Sequence, residues 1–318
     1  MPWHLQRFPP TAAPRATPIV LTVWLGLLLL APLATHGAEC RPVAAEKLDA
    51  GKRQDFRRGL LWKIETPGST ASYLFGTYHT SDPRITILPC PVQEAFDRSA
   101  SYTMEVIANG AGIVSMAEAM YFSDGRTLKA VLGEPLYQET VRAARHTTMA
   151  GGIDNMKPWA VMMALSAPRE THGLILDMAL QLAATRRGKP TYGLETMQEQ
   201  IAVFNSMSLD DQIVLLRDTV QNYQLAQSAM EDLTQAYLKR DLGALLALSE
   251  KFKPQDARVY DAMMARLLTQ RNVNMAERMQ VRLKEGNAFI AVGALHLPGD
   301  QGLLRLLSRA GYRVSPVY

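Results

Sequence analysis

The sequence contains two cysteines in 318 residues, Cys40 and Cys90, and no Cys-x-x-Cys pair, which disfavours a zinc ribbon. It also lacks a Gly-rich phosphate loop, a His-Glu-x-x-His motif and a Gly-x-Ser-x-Gly elbow. Those absences argue against nucleotide enzymes, zincins and ordinary serine hydrolases. An excess of one charge is missing as well. The formal net charge is +4, from 34 Lys+Arg against 30 Asp+Glu, and two of the basic groups, Arg7 and Arg15, precede residue 39. Beyond them the balance is nearly even, so neither nucleic acid nor an anionic membrane surface is implied as a partner.

No apolar run after residue 38 is long enough to span a bilayer. The run before it, IVLTVWLGLLLLAPLA at 19–34, carries no charge and follows Arg7 and Arg15. With small residues ahead of Cys40, it reads as a secretory signal cleaved near Gly37 or Ala38. The rival reading is an uncleaved N-terminal membrane anchor, since the stretch between Pro18 and Pro32 falls just short of a typical span. Glu39 before Cys40 disfavours lipidation. Residues 39–318 then form the folded domain, in the periplasm or outside the cell. There Cys40 and Cys90 either close a loop as a disulfide or remain two buried thiols.

The chain is 47% hydrophobic and 20% charged, which excludes a disordered or collagen-like chain. Short β-prone segments occur at 72–75, 101–107, 190–194, 287–292 and 312–317. The apolar patch Leu60-Leu61-Trp62-Lys63-Ile64 precedes a turn at Pro67-Gly68. Helical spacing covers 91–99, 128–145 and 158–187, with punctuation at Gly151-Gly152 and Pro168. It then covers nearly all of 196–285, with breaks near 206–208, 241–243 and Pro254. The methionines fall in these helical stretches and read as core packing. Strands separated by helices predict an α/β fold with a central, largely parallel sheet and helical insertions, the largest around 196–285.

Histidine is scarce where chemistry needs it. Beyond residue 38 there are four: His79, His146, His172 and His296. His79 ends Tyr73-Leu74-Phe75-Gly76-Thr77-Tyr78-His79, and His296 ends Ile290-Ala291-Val292-Gly293-Ala294-Leu295-His296. Each is an apolar strand followed by Gly-x-x-His, which places both imidazoles past the carboxyl ends of strands, where open α/β sheets build their sites. Glu105, late in its strand, and Glu195, directly after TYGL, project toward the same edge. Two imidazoles and one or two carboxylates suit a divalent transition metal such as Zn, Mn, Fe or Co, which would activate water. A metal-free site with one His as general base and a Glu as its partner is equally consistent with the pattern.

Arg271-Asn272 breaks a helical run, and Arg278 follows seven residues later; an Arg reaching the cleft would hold a carboxylate bidentately. His146 reads as a helix-end residue, His172 as structural, and Asp177 as an exposed helical acid or one that faces the sheet.

Taken together, LFGTYHTSDP at 74–83, Glu105, GKPTYGLET at 188–196 with Gln200, Arg271-Asn272 and AVGALHLPGDQGLLRLL at 291–307 ending in GYRV resemble the TraB/GumN family. The secreted bacterial GumN-type subgroup is the most similar. That family also includes the pheromone-shutdown proteins and the animal Tiki proteins, which are metal-dependent proteases reported to use Mn or Co. The resemblance implies a fold related to the erythromycin-esterase and haem-binding lipoprotein group. It assigns His79 and His296 to the paired motifs as metal ligands with Glu105, and Glu105, Glu195 and Arg271 to the catalytic machinery. The resulting expectation is a metal-dependent hydrolase, a peptidase, with Mn, Co or Zn and a peptide or small-molecule ligand. Two alternatives stand beside it: a binding or regulatory protein that sequesters a ligand in the same cleft, and a metal-free His/Glu esterase.

Overall fold

The computed structural model describes residues 40–43, 56–145, 147, 152–167, 173–251 and 256–318. The signal or anchor at 1–38, His146, His172 and the punctuating residues Gly151, Pro168 and Pro254 lie outside the described residues. Six strands form one sheet: β1 (Leu61–Glu65), β2 (Ser72–Thr77), β3 (Ser101–Val106), β4 (Thr191–Glu195), β5 (Ala288–Gly293) and β6 (Arg313–Pro316), in the order β4-β3-β5-β2-β1-β6. β4, β3, β5 and β2 pair in parallel, while β1 is antiparallel to both β2 and β6. The mixed α/β architecture and its mostly parallel sheet therefore match the expectation.

Each predicted strand is present, and β1 is an addition. Its sequence, LWKIE, is five residues long and sets Leu61 beside Trp62, both buried, so the period-2 signal never develops. The strand is fixed instead by its register, Leu61 opposite Phe75 on one side and Trp62 opposite Pro316 on the other.

The helices are α1 (Pro83–Thr86), α2 (Cys90–Arg98), α3 (Gly110–Ala119), α4 (Leu128–Leu132), α5 (Glu134–Ala144), α6 (Pro158–Ser166) and α7 (Leu176–Arg186) before β4. Between β4 and β5 come α8 (Met197–Asn205), α9 (Leu209–Gln221), α10 (Tyr223–Leu238), α11 (Leu242–Lys251), α12 (Ala257–Met264) and α13 (Gln270–Glu285). α14 (Leu303–Arg309) precedes β6. The run expected at 128–145 is split at Gly133, whose φ of +73° is a conformation that L side chains rarely adopt. Ser208 caps α9 by accepting from the Asp211 amide, the physical content of the break read at 206–208. A π-helical turn, Ala265–Thr269, joins α12 to α13; such turns shift the phase of a helix and recur at functional sites.

The sheet core is aromatic. Phe96 of α2 meets Phe289 of β5 edge-on at 5.3 Å, and Phe289 contacts Phe75 of β2 at 5.9 Å. All three side chains are buried; each pair adds about 0.5–1.5 kcal/mol beyond area burial. β5 is buried from Ala288 to Val292, as the central strand of a sheet covered on both faces must be. A second cluster around Trp159 joins α4, α5, α6 and α9. Cys40 and Cys90 form a disulfide, consistent with an oxidising compartment. No helix among the described residues is long and apolar enough to cross a membrane.

Candidate active site

Four neighbouring parallel strands deliver their carboxyl ends to one edge. Across the sheet from β4 to β2 the residues brought there are Glu195, Glu105, His296 and His79. His79 lies two residues past β2, and His296 closes a 3-10 turn, Ala294–His296, directly after β5.

The two glycines of the paired motifs do different work. A Cβ on Gly76 would sit 2.8 Å from Leu297 Cδ1 and 3.1 Å from Ala294 Cα, so the residue lets the β5 loop close against β2. A Cβ on Gly293 would lie 3.3 Å from Glu105 Oε1, 3.5 Å from His296 Cδ2 and 3.8 Å from His79 Nε2. The space beside Gly293 is therefore where three candidate site residues converge.

Glu105 is held from two sides. Its Oε1 accepts the Gly293 N–H at 2.6 Å, and its Oε2 accepts from Arg271 Nη2 at 2.6 Å. His296 Nε2 is 3.6 Å from Oε1. Burial works against the Glu105 charge, but His296, Arg271, His79 and the Gly293 amide outweigh it and bring its pKa down to about 2.

Arg271 is shared. Its Nε donates to both Glu195 oxygens at 2.9 and 3.0 Å, and Nη2 donates to Glu195 Oε2 at 2.6 Å as well as to Glu105. Nη1 donates to the Leu267 carbonyl at the π turn, 3.1 Å away. Most of the five guanidinium donors are thus committed within the protein, which makes Arg271 a clamp on two carboxylates. Glu195, with its side chain 3% exposed, is the clamp's anchor and also faces Gln200 Nε2 at 3.4 Å.

The imidazoles have unlike surroundings. His79 Nδ1 is 2.8 Å from Asp177 Oδ2, and Asp177 Oδ1 accepts the Thr77 hydroxyl at 2.6 Å. Burial lowers the pKa of His79, while the Asp177 hydrogen bond and the Asp177 and Glu105 charges raise it further, to about 9. The His79 side chain is 60% exposed, so solvent partly screens these charges. His296 is buried and 2.6 Å from Asn272 Oδ1 through Nδ1. Burial pushes its pKa down to about 4 against the pull of Glu105.

The structure thus brings together His79, His296 and Glu105, with Glu195 and Arg271 directly behind them. Arg278 is elsewhere: it donates to the Leu194 carbonyl at 2.7 Å and to Glu199, which completes the capping box of α8 with Thr196. Three participants carried little sequence signal. Asp177, in the first turn of α7, resembles any acid placed there to complement the helix dipole. Asn272 was visible only as the neighbour of Arg271, and Thr77 only as a spacer inside Gly-x-x-His.

The donor types fit a divalent ion. The Nδ1 of each imidazole is tied to an oxygen acceptor, the arrangement that orients metal-ligating histidines. The 3.6 Å between His296 Nε2 and Glu105 Oε1 is close to the separation of about 3.4 Å expected for two ligands on one tetrahedral ion. As the side chains stand, however, no group of three His, Cys, Asp or Glu among the described residues is arranged to hold one.

Residues 60–316 match the model of the TraB/PrgY/gumN family. The chain is 24% identical to Metalloprotease TIKI2 of Xenopus tropicalis over 86% of its own length and 62% of that protein. It is 24% identical to Metalloprotease TIKI1 of Homo sapiens over 92% of its own length and 68% of that protein. It is 24% identical to the uncharacterized protein YbaP of Escherichia coli (strain K12), over 77% and 90% respectively. The chain spans a little over three fifths of the Xenopus and Danio TIKI2 proteins. No solved structure matches it significantly.

Proposed function

The chain belongs to the TraB/PrgY/gumN family, and on that premise we propose that it is a metal-dependent hydrolase acting on peptides. The observation that carries this reading is the convergence of His79, His296 and Glu105 on the space beside Gly293. Charge supports it: Glu105, Glu195 and Asp177 against Arg271 leave a formal deficit of two positive charges once His79 gives up its proton to bind through Nε2, which a divalent ion would balance. His79 and His296 through Nε2, with Glu105, are the residues that would hold Mn, Co or Zn. When bound, such an ion supplies Lewis acidity, polarising a carbonyl and acidifying water. Arg271 keeps Glu105 ionised and aimed, Glu195 fixes Arg271, and the exposed face of His79 borders the side from which a substrate enters. The metalloprotease names of the relatives support peptide as the substrate class. The same kinship supports a fold of erythromycin-esterase or haem-binding-lipoprotein type. We place residues 39–318 in the periplasm or outside the cell, with 1–38 as a cleaved signal or an inner-membrane anchor.

Digestion of a mixed peptide library with added Mn, Co or Zn tests the reading. Cleavage by wild type and none by His79→Ala or His296→Ala is the expected result; equal cleavage by the variants overturns it.

One observation favours a second reading. Burial pushes the pKa of His296 down to about 4 and so keeps a neutral imidazole 3.6 Å from Glu105, as a His general base with a Glu partner requires in metal-free ester hydrolysis. Activity that survives exhaustive chelation selects that mechanism. A cleft that only sequesters its ligand gives binding without turnover in both assays.

A further inference from the structure

Two side chains outside the paired motifs decide which nitrogen each imidazole presents. Asn272 donates through Nδ2 to the Gln301 carbonyl at 2.8 Å, which turns its Oδ1 toward His296 Nδ1, 2.6 Å away. An amide oxygen only accepts, so the proton of that bond belongs to His296 Nδ1. On the other imidazole, Asp177 Oδ1 already accepts from the Thr77 hydroxyl at 2.6 Å, and Oδ2 lies 2.8 Å from His79 Nδ1. A carboxylate only accepts, so Nδ1 carries the proton here as well.

We propose that Asp177 and Asn272 are a matched pair of positioning residues that lock His79 and His296 in the Nδ1–H tautomer and turn both Nε2 lone pairs toward Glu105. His296 Nε2 is 3.6 Å from Glu105 Oε1, and His79 Nε2 borders the same space at Gly293. The opposite tautomer, which solvent-exposed imidazole prefers, would aim an N–H into that space and leave nothing to bind a cation or accept a proton there. The two locks come from separate elements, the first turn of α7 and the start of α13. They also differ in charge: an anion stands behind the exposed ring and a neutral amide behind the buried one. Thr77 extends the first lock and gives the spacer of Gly-Thr-Tyr-His a function, while the Gln301 carbonyl extends the second. The value of the locks to catalysis rests on the hydrolase reading; the tautomers themselves do not.

The test is the side-chain ¹⁵N spectrum of the metal-free full chain labelled at histidine, recorded where each ring is neutral and assigned with His79→Gln and His296→Gln. Both rings are expected to show a protonated Nδ1 and a bare Nε2; a protonated Nε2 on either ring overturns the proposal without any variant. Asp177→Ala and Asn272→Ala are expected to release the corresponding ring to the Nε2–H form, and Asp177→Asn and Asn272→Asp, which keep an acceptor oxygen, to preserve the lock. Alanine variants that fold and keep the wild-type pattern also overturn it. Zinc titration of the same samples is expected to show binding weakened about 10–100-fold by each alanine substitution. Locked tautomers in a wild-type protein that binds no divalent ion would sink the metal reading and leave the tautomer assignment standing.

Discussion

The backbone N–H of Gly293 donates to Glu105 Oε1 at 2.6 Å, so the carboxylate carried by β3 is fastened to the loop that delivers His296 from β5. A Cβ at Gly293 would stand 3.3 Å from that oxygen, close enough to displace it by a few tenths of an ångström, and in van der Waals contact with His296 Cδ2 at 3.5 Å. Gly293→Ala is therefore expected to lower hydrolytic activity at least 10-fold while costing only about 1–2 kcal/mol of stability. Paired activity assays and urea melts check this; an equally active variant would remove Gly293 from the site.

Arg271 and Glu195 form a largely buried pair, their side chains 12% and 3% exposed. Such pairs add little net stability, but removing one partner strands the other. Arg271→Ala leaves two carboxylates uncompensated and is expected to cost about 3–5 kcal/mol in a urea melt. Adding Glu195→Gln should recover part of that loss, and a double-mutant cycle measures the coupling. Strict additivity would contradict the clamp.

Acid should destabilise the metal-free protein through His296. Its folded pKa is depressed to about 4, so the unfolded chain takes up the proton first, near pH 6.5. The contribution is fully present above that pH and is lost as pH falls toward 4, amounting to about 3 kcal/mol. Glu105, depressed to about 2, adds its own loss below about pH 4.5. His79, raised to about 9, acts in the opposite sense, stabilising below pH 6.5 and losing that effect as pH rises through 9. Melting temperatures from pH 4 to 7 are expected to rise less steeply in His296→Gln than in wild type.

The disulfide closes a loop with a sequence separation of 50 residues. The chain-entropy estimate for a loop of that size is about 4 kcal/mol. Cys40→Ser/Cys90→Ser is expected to melt at a lower temperature than the oxidised wild type and to lose all sensitivity to reductant.

Much of this was legible because strand ends and the candidate site residues coincide. Gly-x-x-His after an apolar run marks both the end of a buried parallel strand and the imidazole delivered there, and the strand order then sets Glu105 between Glu195 and His296. What could not be read were contacts made across long sequence separations by ordinary residue types. Asp177 reaches His79 from 98 positions away and Asn272 reaches His296 from 24, and neither leaves a local pattern. Arg271 was readable as a carboxylate holder but not as the partner of two glutamates at once. β1 was obscured because its apolar residues stand side by side. The π turn before α13 has no periodic signature at all.

In the proposed hydrolase, His79, His296 and Glu105 hold one divalent ion. Anomalous diffraction from crystals soaked in Mn, Co or Zn at pH 8 would locate that ion. One ordered ion is expected about 2.0–2.2 Å from the Nε2 atoms of His79 and His296 and from a Glu105 oxygen. Anomalous density that is absent there, or that appears only at other residues, would rule out this ligand set.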